Sequence, residues 1–88
     1  MDQEIFRLRL SRARRNAGLT KRALAGRVGL SERAVGQFEQ GETLPALPTA
    51  VALADALDVS LDWLTGRSDV PMVVRRRRLV FRRGPGKE

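Results

Sequence analysis

Four neighbouring positions, 32, 33, 36 and 37, have side-chain types and spacing suited to hydrogen bonding with the edge of a flat partner. Arg33 offers a fork of N–H donors, Gln37 a donor beside an acceptor, and Glu32 acceptors alone. These groups match guanine O6 and N7, adenine N6 and N7, and cytosine N4, respectively, and a good bidentate contact discriminates a base by about 1–3 kcal/mol. Gly36 presents only backbone. The predicted chemistry is recognition of DNA bases, and a solvated helix face is the alternative interpretation.

The elements that must position these groups lie in residues 18–41, GLTKRALAGRVGLSERAVGQFEQG, which contain two short helical patterns joined by a glycine turn. Thr20 and Ser31 stand where helix N-caps belong. Val35 and Phe38, three residues apart, give the second helix one apolar side. With that side facing inward, the four positions form its front. We expect the pair of helices to offer this front to the major groove of DNA.

Composition excludes several classes of protein. The 88 residues suggest one domain with a modest core, and the chain has no cysteine and no histidine. Disulfides, zinc fingers and histidine catalysis are therefore ruled out, and no glycine-rich phosphate loop or carboxylate cluster indicates an enzyme, a metal site or a cofactor. No apolar run reaches the roughly 18 residues that span a bilayer, and no signal peptide opens the chain. We expect a cytoplasmic, nucleoid-associated protein without membrane contact.

Apolar periodicity predicts five helices within residues 1–66. They are expected at residues 3–17, 20–29, 31–40 and 47–57, followed by a short helix that begins after Ser60 and ends at Gly66. The fourth helix is mostly apolar and should lie centrally in the core, where Trp63 also belongs. Its apolar residues include Ala50, Val51, Leu53, Ala54 and Leu57.

Residues 67–88 form a basic tail of different composition. The formal net charge of +7 lies mostly here, because residues 1–66 hold nine basic and eight acidic side chains. Valine, leucine and phenylalanine flank the arginines, which suggests an extended strand and leaves a helix open. A solvated extension, an arm along DNA phosphates, a membrane-surface anchor, and a self-associating or partner-bound strand are the alternatives, and we favour the strand. The basic patch comprises Arg75, Arg76, Arg77, Arg78, Arg82 and Arg83.

Residues 10–66 resemble the Cro and phage-repressor type of helix-turn-helix domain, the xenobiotic-response-element family. The resemblance is carried by the spacing of Leu10 and Arg14, by AGLTKRALAGRVGLS, by VGQFEQG and by ALDVSLDWLTG. It implies an all-α, five-helix, lambda-repressor-like domain in residues 1–66 whose third helix enters the major groove. Members are mostly bacterial or phage regulators of transcription and commonly dimers. It also implies a partly buried ion pair between Arg14 and Glu39. The tail does not match the family.

Helix starts and the loop after the third helix supply candidates for phosphate contact. Backbone N–H groups and hydroxyls at a helix N-terminus bind anions, and ordinary capping is the alternative. The candidates are Thr20, Lys21, Ser31, Gln40 and Thr43.

We therefore expect a dimeric repressor that reads a palindromic operator in double-stranded DNA. Two alternatives stay open: the DNA-binding antitoxin of a toxin–antitoxin pair, whose tail binds the toxin, and the controller protein of a restriction–modification system.

Overall fold

The computed structural model describes residues 1–71, so the basic patch of the tail lies outside the described residues. Within them the chain forms α1 (Gln3–Asn16), α2 (Lys21–Val28), α3 (Glu32–Glu39), α4 (Leu47–Leu57) and α5 (Leu61–Leu64). The all-α, five-helix prediction is confirmed, and each of the first four helices begins and ends within two residues of its predicted bounds.

Local side-chain capping starts four of the five helices. The hydroxyl of Thr20 accepts a hydrogen bond from the backbone N–H of Ala23 at 3.0 Å, which begins α2. Ser31 accepts from the N–H of Ala34 at 3.0 Å, which begins α3. Each bond satisfies a donor that has no partner within its helix. The remaining two caps are Asp2 for α1 and Ser60 for α5.

In the core, α1 and α2 pack against the back of α3, while α4 packs against α2 and α5. Phe6 and Phe38 meet edge to face, with ring centroids 6.3 Å apart. Trp63, in α5, is buried, as expected from the sequence. Because α3 is fixed from behind by large apolar side chains, its orientation is set by packing. The largest fully buried side chains are Phe6, Leu10, Leu24, Val35, Leu53 and Leu64.

Not every apolar residue of α4 faces the core. Val51 is 38% exposed, and Leu47 one turn earlier is 66% exposed. Residues 50, 53, 54 and 57 form the stripe that faces the core. Because neighbours on a helix are three or four residues apart, residues 47 and 51 lie beside that stripe. The helix is apolar on a second side that nothing in residues 1–71 covers.

The described chain stays attached to the helices as far as Pro71. The N–H of Ser60 donates to the carbonyl of Pro71 at 2.9 Å. The Arg9 guanidinium lies over the Trp63 ring, 5.0 Å from its centroid, and donates to the carbonyl of Ser68 at 2.8 Å. These contacts extend past Gly66, where the predicted helix-turn-helix domain ends.

Candidate nucleic-acid interface

The turn between α2 and α3 fixes how the second helix is presented. Gly29 ends α2 in the left-handed conformation with φ 72°, which glycine adopts without steric cost. The N–H of Leu30 then donates to the carbonyl of Ala25 at 2.9 Å. Ser31 follows at once as the N-cap of α3. The two helices are thus joined by a tight turn in which the N–H groups of Gly29 and Leu30 both donate to the carbonyl of Ala25.

The front of α3 is open to solvent. Glu32 and Arg33 are exposed, whereas Gly36 and Gln37 are partly exposed, opposite the buried Val35 and Phe38. Within residues 1–71, the side chains of Glu32, Arg33 and Gln37 make no hydrogen bond or ion pair. The structure therefore brings all four positions to one surface and leaves their polar groups available to another molecule.

The five candidates for phosphate contact also lie at the surface. Thr20 and Ser31 are exposed while their hydroxyls cap helices, and Lys21 is partly exposed at the first position of α2. Gln40 and Thr43 are exposed after the end of α3. Ser31 lies at the beginning of α3, Gln40 and Thr43 lie after its end, and Thr20 and Lys21 lie at the beginning of α2.

Arg14 and Glu39 form an ion pair that ties α1 to the end of α3. Arg14 donates from Nε to Oε2 of Glu39 at 2.6 Å and from Nη2 to Oε1 at 3.1 Å. Its Nη1 also donates to the carbonyl of Leu19 at 2.8 Å, in the turn before α2. The hydrogen bonds to the Glu39 carboxylate raise the pKa of Arg14. The pair is structural, because one guanidinium joins three segments of the helix-turn-helix region.

Ion pairing divides the cations of residues 1–71 into two groups. Arg7 pairs with Glu4 at 2.6 Å, and Arg9 with Asp69 at 3.3 Å; Arg14 and Arg67 are also paired. The others make no ion pair within the described part of the chain. They lie on the C-terminal half of α1, on α2 and on the first turn of α3: Arg12, Arg15, Lys21, Arg22, Arg27 and Arg33.

The sequence prediction did not include Arg22 and Arg27, two of these unpaired cations, in a basic surface. Both are exposed on α2, the helix directly before α3. The near-neutral charge of residues 1–66 hid the surface, because acidic side chains neutralise arginines elsewhere. The composition of α2, three basic residues and no acidic one, was the signal that could have revealed it.

A short helix that is held from behind by its predecessor and exposes a polar front defines the helix-turn-helix class of protein. Residues 10–64 match the family described as Helix-turn-helix. This span is more than half of the chain, and the chain belongs to that family, whose members are DNA-binding regulators and not enzymes.

Two curated relatives share this region. The chain is 37% identical over 59 residues to the cryptic phage CTXphi transcriptional repressor RstR of Vibrio cholerae, covering 67% of this chain and 53% of that protein. It is 35% identical over 63 residues to the HTH-type transcriptional regulator YobD of Bacillus subtilis, covering 72% and 56%, respectively. The chain thus spans about half the length of these relatives.

Solved structures of the P22 c2 repressor have the same fold. A crystal structure of that repressor with a synthetic operator matches with a TM-score of 0.69 and 31% identity, covering 73% of this chain and 97% of that one. The solution structure of its DNA-binding domain matches with a TM-score of 0.70 and 31% identity, covering 80% of this chain and 91% of that one.

Among residues 1–71, no helix is long and apolar enough to cross a membrane.

Proposed function

We propose that this protein is a sequence-specific repressor of transcription that reads the major groove of double-stranded DNA with α3. The observation that carries the proposal is the open front of this helix. Val35 and Phe38 hold its back, while the polar groups of Arg33 and Gln37 have no partner in the described chain. A polar surface that is rigid and unused within the protein suits a ligand that presents donors and acceptors along an edge.

Each position on the front has a distinct part in base reading. Arg33 donates two hydrogen bonds to guanine O6 and N7, and Gln37 pairs with adenine N6 and N7. Glu32 accepts from cytosine N4. Gly36 lies between them without a side chain, which lets the helix approach the bases closely.

Phosphate contacts fix the protein on the duplex. Lys21 and the capped starts of α2 and α3, at Thr20 and Ser31, hold one strand, and Gln40 and Thr43 reach phosphates beyond the end of α3. The unpaired arginines of α2 add to this surface. Because every neutralised phosphate releases condensed counterions, binding weakens steeply as salt increases.

The protein acts as a homodimer on a two-fold operator. Two copies present their α3 helices to major grooves about 34 Å apart, one helical turn along B-DNA. Occupancy of a promoter then excludes polymerase. The operator-bound P22 c2 relative and the repressor named in Vibrio cholerae support this function over that of an enzyme.

The antitoxin and controller alternatives also involve DNA binding. An antitoxin would also bind a toxin through its tail, and a controller protein would also activate transcription. Nothing in residues 1–71 favours either alternative, so we propose the repressor.

The test is selection of bound duplexes from a randomised library, followed by footprinting of the selected site. We expect a palindromic consensus, and we expect Arg33→Ala to lose preference at one guanine per half-site. Arg7→Ala, which removes an arginine already paired with Glu4, is the control and should keep the consensus. A wild-type protein that binds all duplexes equally well would disprove the proposal.

A further inference from the structure

A cavity of about 400 Å³ opens between the C-terminal end of α1, the C-terminal end of α4 and α5. Sites for small molecules usually have volumes of about 300–1,000 Å³. The cavity combines an apolar surface with polar and aromatic side chains, as such sites do. Its apolar part consists of Ala13, Ala17, Leu57, Val59 and Pro71.

Three hydrogen-bond donors on this cavity have no acceptor in the described chain. Arg12 and Asn16 lie one helical turn apart on the same side of α1. Both are exposed, and within residues 1–71 neither side chain makes a hydrogen bond or an ion pair. Trp63 is only 6% exposed, yet its indole N–H has no acceptor among these residues either. A buried N–H without an acceptor is costly, and a ligand that brings an acceptor would remove that cost.

The Trp63 side of the cavity is held in place by Arg9. The Arg9 guanidinium lies over the indole ring, 5.0 Å from its centroid, and donates to the carbonyl of Trp63. It also pairs with Asp69 at 3.3 Å, so this carboxylate of the lining already has a cation beside it. Arg12 is therefore the cation of the lining whose charge is not matched by a carboxylate within residues 1–71.

We propose that this cavity binds a small monocarboxylic acid with an apolar body. The guanidinium of Arg12 and the amide of Asn16 donate to the carboxylate, and the indole N–H of Trp63 donates to the same group. The body of the ligand packs against the apolar part of the lining. A second anionic group would meet the carboxylates of Asp58 and Asp69, which also line the cavity, so dicarboxylic acids are disfavoured.

The cavity is separate from the proposed DNA surface. Its lining residues belong to α1, α4, α5 and the segments that follow these helices, and none belongs to α2 or α3. The front of α3 therefore stays open when the cavity is filled. The inference goes beyond the proposed function, and neither depends on the other.

The test titrates sodium hexanoate into the full-length protein at about pH 7, where the acid is ionised, and at constant ionic strength. Trp63 is the only tryptophan of the chain, so its fluorescence and its single indole N–H resonance in NMR spectra both report on the cavity. We expect saturable binding and a downfield shift of that resonance, because the N–H gains an acceptor.

Three further probes separate the parts of the ligand. Acetate lacks the apolar body, 1-hexanol lacks the charge, and adipate carries a second carboxylate on a chain of the same length. We expect each to bind at least about tenfold more weakly than hexanoate. Acetate that binds as tightly as hexanoate would show an adventitious ion only and would overturn the inference. Adipate that binds as tightly would overturn the proposed class of ligand.

Two arginine variants locate the carboxylate. Arg12 and Arg15 are both exposed on α1 and unpaired within residues 1–71, but Arg15 does not line the cavity. We expect Arg12→Gln to raise the dissociation constant for hexanoate at least about tenfold, because a charge-assisted hydrogen bond is lost. Arg15→Gln should leave it unchanged. Circular dichroism checks that both variants keep their helices.

Equal affinity of the two variants for hexanoate, or binding that leaves the indole resonance unmoved, would overturn the inference. So would a wild-type protein that binds no hexanoate, which is the result expected if the chain's own tail fills the cavity. Selection of bound duplexes by the same wild-type protein measures the proposed function separately. Sequence preference without hexanoate binding would overturn only the cavity, and hexanoate binding without sequence preference only the proposed function.

Discussion

Arg14 and Glu39 lie 25 residues apart in the chain and are joined by two hydrogen bonds, at 2.6 and 3.1 Å. Only 13% of the Arg14 side chain and 6% of the Glu39 side chain are exposed. The third bond of Arg14, to the carbonyl of Leu19, places the guanidinium between α1, the turn before α2 and the end of α3. α3 is thereby held at its C-terminal end by an ion pair and along its back by apolar packing.

Removal of the guanidinium should destabilise the domain. We expect Arg14→Met to lower the free energy of unfolding by about 3 kcal/mol, because the Glu39 carboxylate would stay buried without its partner. Chemical denaturation followed by circular dichroism measures the change. Arg7→Met is the control, since its partner Glu4 is largely exposed and such pairs contribute little. An Arg14→Met protein as stable as the wild type would show that the pair does not stabilise the fold.

The contribution of this pair should not vary with pH near neutrality. Glu39 raises the pKa of Arg14, so the stabilisation is fully present below the pKa of arginine in the unfolded chain and is lost only as pH rises through the folded value. We therefore expect the free energy of unfolding of the wild type to be equal at about pH 6 and pH 8, because arginine stays protonated across this range and the chain has no histidine. Denaturation curves at both pH values test this, and a wild-type free energy of unfolding that falls between them would contradict it.

Two glycines within helices allow stability to be separated from DNA binding. A Cβ added at Gly36 in α3, or at Gly26 in α2, would meet no atom within 4 Å outside its own helix and chain neighbours. We expect Gly36→Ala and Gly26→Ala each to stabilise the free protein by up to about 1 kcal/mol, because alanine is the better helix former. Thermal unfolding measures this gain.

Only Gly36→Ala should weaken operator binding, because the added methyl would lie between α3 and the bases. Binding titrations on the selected site compare the two variants. Equal affinity of both with the wild type would show that α3 does not approach the duplex closely at Gly36.

The unpaired cations of α2 should contribute to the salt dependence of binding. For each phosphate contact that is lost, the slope of the logarithm of the binding constant against the logarithm of salt concentration falls by about 0.9. We expect this reduction for Lys21→Gln and for Arg27→Gln, with affinity weakened evenly across sequences. Fluorescence anisotropy at several salt concentrations gives the slope. Arg7→Gln should keep the wild-type slope, and an unchanged slope for Arg27→Gln would remove that residue from the phosphate surface.

The sequence by itself determined the helices and the polar character of the front of α3. Thr20 and Ser31 could be recognised as caps because a cap bonds to an N–H only three residues ahead. Val35 and Phe38 fixed the back of α3 through helical periodicity, and the polar front followed from it. These interactions join residues only a few positions apart, so the pattern of residue types along the chain is sufficient to predict them.

Only the tertiary structure decided which charges are neutralised and which apolar side chains remain uncovered. Arg9 reaches Ser68 and Asp69, and nothing in the local sequence distinguishes it from the unpaired Arg12. Leu47 and Val51 are as apolar as the buried Leu53, yet no described element packs over them. Both outcomes depend on where distant segments lie after folding, and that is set by the joint packing of all five helices.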